Sequence, residues 1–165
     1  DGVVLLSASH PTQNGNQSNV LATAADLSET SLESILINIS DMKDDRGLRI
    51  AAQGTQLIIP TAYQFVAERL LESQLRTGTA DNDINAIKAG GYLPKGYTIM
   101  RRLTDADAFF VQTDVPDGLK HFTRSAMKKG MEGDFETGNI RYKVRERYSF
   151  GHTDWRGVFG TEGAA

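Results

Sequence analysis

The sequence predicts an α+β fold, and three observations carry that reading. Two segments place apolar residues at helical spacing. Several others show the apolar runs or period-two alternation of strands. These segments follow one another without the regular strand–helix alternation of a doubly wound sheet. At 165 residues the chain has the size of one domain, or of a domain with an appendage, and is long enough to bury a true core.

The chain opens on a short apolar run, Val3-Val4-Leu5-Leu6, and then turns polar from His10-Pro11-Thr12 to Asn19, a composition expected of an exposed loop. From Ser28 a helix is signalled. Ser28 is the cap, Glu29 suits the first turn, and Leu32, Ile35, Leu36, Ile39 and Met42 form one stripe, ended by Asp44-Asp45-Arg46-Gly47. Leu57-Ile58-Ile59 is a strand stopped by Pro60. A second helix follows, with Thr61 and Gln64 as a capping box, Tyr63, Val66, Ala67, Leu70 and Leu71 as its apolar stripe, and Glu72 one turn from Arg76. Residues 77–97 are expected to form a loop. Strands are expected at 97–103, 108–113 and 120–126, and an acidic hairpin region at 130–138. The last strand is the clearest. Ile140, Tyr142, Val144, Glu146, Tyr148 and Phe150 alternate with Arg141, Lys143, Arg145, Arg147 and Ser149, giving an apolar face and a basic face.

The formal net charge of −3 argues against a dedicated nucleic-acid binder, which is usually strongly basic. With no cysteine, disulfides and thiolate metal sites or nucleophiles are excluded. No apolar run approaches the ~20 residues of a membrane-spanning helix, so no membrane partner is expected, and no signal peptide opens the chain. A chain that starts at Asp1 reads as a processed form or a fragment.

Candidate chemistry is sparse. Asp81-Asn82-Asp83-Ile84-Asn85 begins like a calcium loop, but the glycine and glutamate required at its sixth and twelfth places are Ala86 and Tyr92. Its Asx side chains are better used on their own backbone, and no metal or other cofactor is expected. The stretch from Gly90 to Gly96 lacks the ending of a phosphate loop and reads as a surface turn. His152 and Asp154 share a face of an extended segment, but no nucleophile signature accompanies them. Arg141, Lys143, Arg145 and Arg147 space four cations about 7 Å apart. They could face nucleic acid, yet no aromatics interleave them, so ion pairing across strands or subunits, with acids such as Asp134 and Glu136, is the favoured role. Glu146, on the apolar face, calls for a partner.

Several segments in series resemble the major capsid proteins of tailed bacteriophages, in particular the Mu-like major head subunit group. They are Leu5-Leu6-Ser7-Ala8-Ser9-His10-Pro11, Asp26-Leu27-Ser28, Leu57-Ile58-Ile59-Pro60, Gly78-Thr79-Ala80-Asp81-Asn82-Asp83-Ile84-Asn85, Leu103-Thr104-Asp105-Ala106-Asp107-Ala108-Phe109-Phe110, and the run from Tyr142-Lys143-Val144-Arg145 through Asp154-Trp155-Arg156-Gly157. The resemblance implies the Hong Kong 97-type capsid fold. Residues 1–19 would be a connecting loop, 20–118 an axial domain, and 119–165 peripheral-domain strands with a C-terminal tail. The family's N-terminal arm, extended loop and spine helix would precede Asp1. It further implies a structural, non-enzymatic subunit that self-assembles into pentamers and hexamers of an icosahedral shell. That shell would be assembled in the cytoplasm of a bacterial host, with portal, scaffold or decoration proteins as further partners and packaged double-stranded DNA touched non-specifically. Subunit contacts are then expected at Arg141, Lys143, Arg145, Glu146, Arg147, Asp154, Trp155 and Arg156, and at Asp81, Asn82 and Asp83. Two other classes remain open: a small hydrolase or transferase using His152 and Asp154, and a monomeric binding module using the basic strand face.

Overall fold

The computed structural model describes residues 2–76 and 83–164. Eight strands and three α-helices are formed among them: β1 His10–Thr12, β2 Gly15–Gln17, α1 Glu29–Ser40, β3 Gly54–Ile59, α2 Gln64–Glu72, α3 Ala86–Gly90, β4 Tyr97–Ile99, β5 Phe109–Thr113, β6 Leu119–Gly133, β7 Ile140–His152 and β8 Val158–Thr161. The mixed α+β architecture is as expected.

The body is built on a four-stranded sheet in the order β4-β3-β5-β8. β4 runs parallel to β3, while β3–β5 and β5–β8 are antiparallel. Alternate residues of the central strands, Leu57 and Ile59 on β3 and Phe109 and Val111 on β5, are buried and meet Leu32, Ile35 and Ile39 of α1, Ala67 and Leu71 of α2, and Phe159 of β8 in one core. α1 forms where its signals place it. Ser28 and Ser31 cap each other's backbone reciprocally, the stripe from Leu32 to Ile39 faces the core, and the helix ends at the Asp41 cap. Asp44 then accepts the amides of Arg46 and Leu48, which shapes the following turn.

Five expectations are corrected. The polar stretch from His10 is mostly exposed, as expected, but it is not an irregular loop. It holds the β1–β2 hairpin, and His10 and Asn19 are completely buried because each has polar partners inside. Thr61 and Gln64 form no capping box, since a 3-10 turn over Thr61–Tyr63 leads into α2 and its cap makes no side-chain bond. Arg76 pairs with Glu29 at 2.8 Å rather than with Glu72, which faces Lys88. The loop expected over 77–97 contains α3, capped by Asn85. The closing residues 158–161 are not tail but β8, hydrogen-bonded to β5 in the central sheet.

β6 and β7 form a separate two-stranded hairpin. β6 runs well past the expected 120–126, and the turn at 134–139 is shorter than the region foreseen. No residue between 119 and 152 is buried.

Candidate assembly interface

The hairpin leaves the body at a tight crossing. Thr153 and Asp154 donate backbone bonds to Asp117, and Gly118 lies against Gly157. A Cβ on Gly157 would stand 2.5 Å from the Gly118 Cα, so two chain segments meet here at a distance only glycine allows. Asp117 adopts a left-handed φ of 66°, a conformation aspartate tolerates, and its carboxylate pairs with Lys120.

Along the hairpin the register shifts twice, around Thr123/Ser125 and Ser125/Lys128. Such bulges increase the local twist of the ribbon. The two-faced pattern of the last strand is present, but its apolar face is uncovered: Tyr142 is 77 % exposed, and Ile140, Val144, Tyr148 and Phe150 are exposed as well. At the root end His121, Tyr148 and Phe150 cluster, with ring centroids 4.9 to 5.4 Å apart. Glu146 lies opposite the second bulge, exposed to water, so its charge needs no protein partner.

The cationic row is paired at its tip end only. Arg141 lies opposite Glu132 and 3.7 Å from Asp134. Lys143 faces Gly130, Arg147 faces Ser125, and Arg145 faces Lys128, a like charge. Of the ion pairing favoured across strands or subunits, the cross-strand kind stops after the row's first member among the described residues. At the tip, Asp134 accepts the Glu136 amide and the Thr137 hydroxyl, and Asp134 and Asn139 close the turn through their backbones. Phe135 is thereby held wholly in water, at 102 % exposure.

Trp155 and Arg156 lie elsewhere, both enclosed within the body. Arg156 donates to Asp45 at 2.7 Å, to Asp154 at 3.4 Å and to the Lys43 carbonyl at 2.8 Å, and its guanidinium stands 4.4 Å over the Trp155 ring. The other face of Trp155 stacks on His10, with centroids 4.3 Å apart and planes 2° from parallel. Burial holds the His10 imidazole below its usual range, and the nearby Arg156 charge acts the same way, against hydrogen bonds to Asn19 and Leu5 that raise it. Asn19 joins the two ends of the chain. Its amide donates to the carbonyls of Leu5, Trp155 and Val158, while its oxygen accepts the Ser7 amide at 2.9 Å. This clasp was not foreseen, because its polar members resemble loop residues in sequence. The stacked His10–Trp155 pair, with arginine beyond, could have been suspected only from the aromatic Trp155 beside a charged pair.

His152 and Asp154 do not form a catalytic pair. His152 is exposed at the end of β7, opposite Leu119, while Asp154 caps the turn Trp155–Gly157 and pairs with Arg156. Asp81 and Asn82 lie outside the described residues. Asp83 is exposed, and its carbonyl accepts the Arg76 amide. Asn85 uses its side chain to cap α3 and to bond the carbonyls of Leu70 and Ser73. Among the described residues no three acidic or histidine groups converge as a metal site would require.

A long ribbon with one apolar and one cationic face, joined to a well-packed body, offers broad surfaces for contact. The sequence matches the phage capsid protein family over residues 2–160, and the chain belongs to that family. That family is one of phage capsid proteins, and a structural role is what membership in it supports. Solved structures to which the chain is similar include the virus-like particle from Pyrococcus furiosus, at 10 % identity and a TM-score of 0.47, covering 86 % of this chain and 55 % of that one. Another is from Mycobacterium phage Che8, at 16 % identity and a TM-score of 0.48, covering 88 % and 54 %. The chain thus spans about half the length of these structures. None of the curated proteins matches it.

Proposed function

We propose that this chain is part of a major head subunit that self-assembles with copies of itself into the pentamers and hexamers of an icosahedral shell around a phage genome. The observation that carries the reading is the family match, which runs along nearly the whole chain. The hairpin supports it. Its exposed apolar face and unneutralised cations are of the kind that proteins cover in complexes. On this reading the fold is of the Hong Kong 97 type, with the central sheet and its helices (20–118, joined by β8) as the axial domain and the β6–β7 hairpin as peripheral strands. Arg141, Lys143, Arg145 and Arg147 are then subunit contacts. Assembly takes place in the host cytoplasm, with portal, scaffold or decoration proteins as further partners and the packaged DNA touched without sequence preference.

Electron microscopy of the purified protein under assembly conditions tests the proposal. Closed shells or ring-shaped capsomers are expected. A protein that stays monomeric at every concentration and ionic strength tried would refute it.

A further inference from the structure

One short turn serves two parts of this chain at once. Thr153 and Asp154 alone separate the end of the β6–β7 arm, His152, from the turn Trp155–Gly157, and Gly157 lies against Gly118, which leads into β6. The same turn is gripped from the N-terminal side. The Trp155 ring stacks on His10, and its carbonyl accepts from the Asn19 side chain at 3.1 Å. The Val158 carbonyl just beyond accepts from the same side chain at 3.0 Å, and the Asn19 carbonyl accepts the Gly160 amide at 3.0 Å.

Residues 5–19 also reach the arm itself. Leu5 is half-buried and forms one wall of a cleft of about 490 Å³, whose other walls include Leu119 and His121 of β6 and Phe150 of β7. Asn19 fixes Leu5 there. Its side chain donates to the Leu5 carbonyl at 2.6 Å and accepts the Ser7 amide at 2.9 Å, while its own amide donates to the Ser7 carbonyl at 3.2 Å. This segment stands outside the apolar core, since no residue from 5 to 19 belongs to the cluster packed on the central sheet. Its hold is therefore separable from that of the core, and segments of this kind open before a core unfolds.

The other contacts at the root gather around Asp117 and Gly118: the glycine crossing, the bonds of Thr153 and Asp154 to Asp117, and the Lys120–Asp117 pair. Contacts gathered at one point fix where an arm starts but not where it aims. A strand of 15 residues reaches roughly 50 Å, so a turn of about 10° at the root moves the tip by roughly 9 Å. We infer that residues 5–19 are a strap that sets the direction of the β6–β7 arm. Seated, the strap holds the Trp155–Gly157 turn and the arm's root in one orientation. Lifted, it leaves the arm to swing on the glycine crossing, a hinge at the ends of two elements, while the central sheet stays folded. The coupling lies within one chain, so it holds whatever covers the arm, and it does not rest on the reading of the chain as a shell subunit.

The absence of cysteine allows two labels to be placed cleanly. Nitroxides on Lys129→Cys in β6 and Glu68→Cys in α2, both at exposed positions, report the arm-to-body distance by pulsed electron paramagnetic resonance. An excess of unlabelled protein restricts the signal to distances within one molecule. The parent is expected to give one narrow distribution. Asn19→Ala, which removes the hub, and Leu5→Ala, which removes the cleft wall, should each broaden it at least twofold, with the amides of β3 and β5 still protected from exchange. Ile39→Ala weakens the core, where no strap residue lies, and should leave the width unchanged. A broad distribution in the parent overturns the inference. So does an unchanged width in the strap variants, which would make the segment a plain clamp on the body. Equal broadening by Ile39→Ala overturns it too, because arm direction would then follow overall stability. If Asn19→Ala does not fold, Leu5→Ala, at a half-buried position, decides alone.

Discussion

Replacing Asn19 by alanine tests whether the two ends of the chain are joined as the structure shows. The Asn19 side chain is completely buried and serves five partners: the carbonyls of Leu5, Trp155 and Val158, the Ser7 amide and the His10 ring. Two N–H groups shared among three carbonyls count as two bonds, and the oxygen accepts two more. At about 1 kcal/mol net each these four sum to ~4 kcal/mol, and leaving buried carbonyls unpaired raises the figure further. Water entering near the partly exposed Leu5 and Ser7 recovers a fraction, so a destabilisation of about 3 kcal/mol is expected. With an m-value of about 2 kcal/mol/M, the urea midpoint drops by roughly 1.5 M with an unchanged slope. Trp155 is the only tryptophan and stacks on His10 inside the clasp, so its fluorescence reports the unfolding directly. The exposed Asn16→Ala serves as control and should stay within about 0.5 kcal/mol. An Asn19→Ala midpoint within about 0.3 M of the parent would refute the buried hub.

Three further outcomes follow from the same region. His10 has its pKa lowered in the folded state, so the unfolded chain binds the proton first: stability is complete above about pH 6.5 and falls as pH drops below it, until the folded-state pKa is passed. The slope is limited to one proton, about 1.4 kcal/mol per pH unit, and urea titrations between pH 7.5 and 5 should show it in the parent and lose it in His10→Gln. Arg156→Met leaves Asp45, Asp154 and the Lys43 carbonyl without their donor and should destabilise by about 2 kcal/mol. Arg156→Lys should recover only part of that loss, since an ammonium cannot repeat the fork or the stack on Trp155; urea melts of the three proteins compare them. Gly157→Ala drives a Cβ into the Gly118 backbone, and a loss of about 2 kcal/mol with faster tryptic cleavage in 119–152 is expected.

What the sequence revealed, and what it concealed, follows from the range of the interactions. α1 was legible because its start and its stripe are local: Ser28 caps and Leu32 to Ile39 repeat at 3.6; its stop was read too late, at Asp44 to Gly47, whereas Asp41 ends the helix and Met42 lies beyond it. Asn19 was not, because a polar residue is buried only when its partners are supplied from elsewhere, and two of these stand 136 and 139 positions away. β8 escaped for the same reason, being four residues long and defined by pairing with β5 rather than by any pattern of its own. The run Asp154-Trp155-Arg156 reads in sequence as packing and ion pairing as well as a candidate contact, and within the body its arginine pairs with Asp45 and Asp154.

The hairpin marks the limit of periodicity as evidence. Alternation between Tyr142 and Phe150 establishes that one face is apolar, but a period of two is silent on whether anything covers that face. Among the described residues nothing does, since no residue from 119 to 152 is buried. A lone two-stranded ribbon is at best marginally stable in water. The energy that holds this one extended therefore comes from surfaces outside it. Among the described residues the body holds the root through the Gly118–Gly157 crossing, the Lys120–Asp117 pair and the bonds of Thr153 and Asp154 to Asp117. The cationic row, left without acids beyond Arg141, adds repulsion along its length that a negative surface would relieve. Apolar exposure, like-charge repulsion and a ring held in water at the tip all fall on one element, and a surface that covers it would relieve all three.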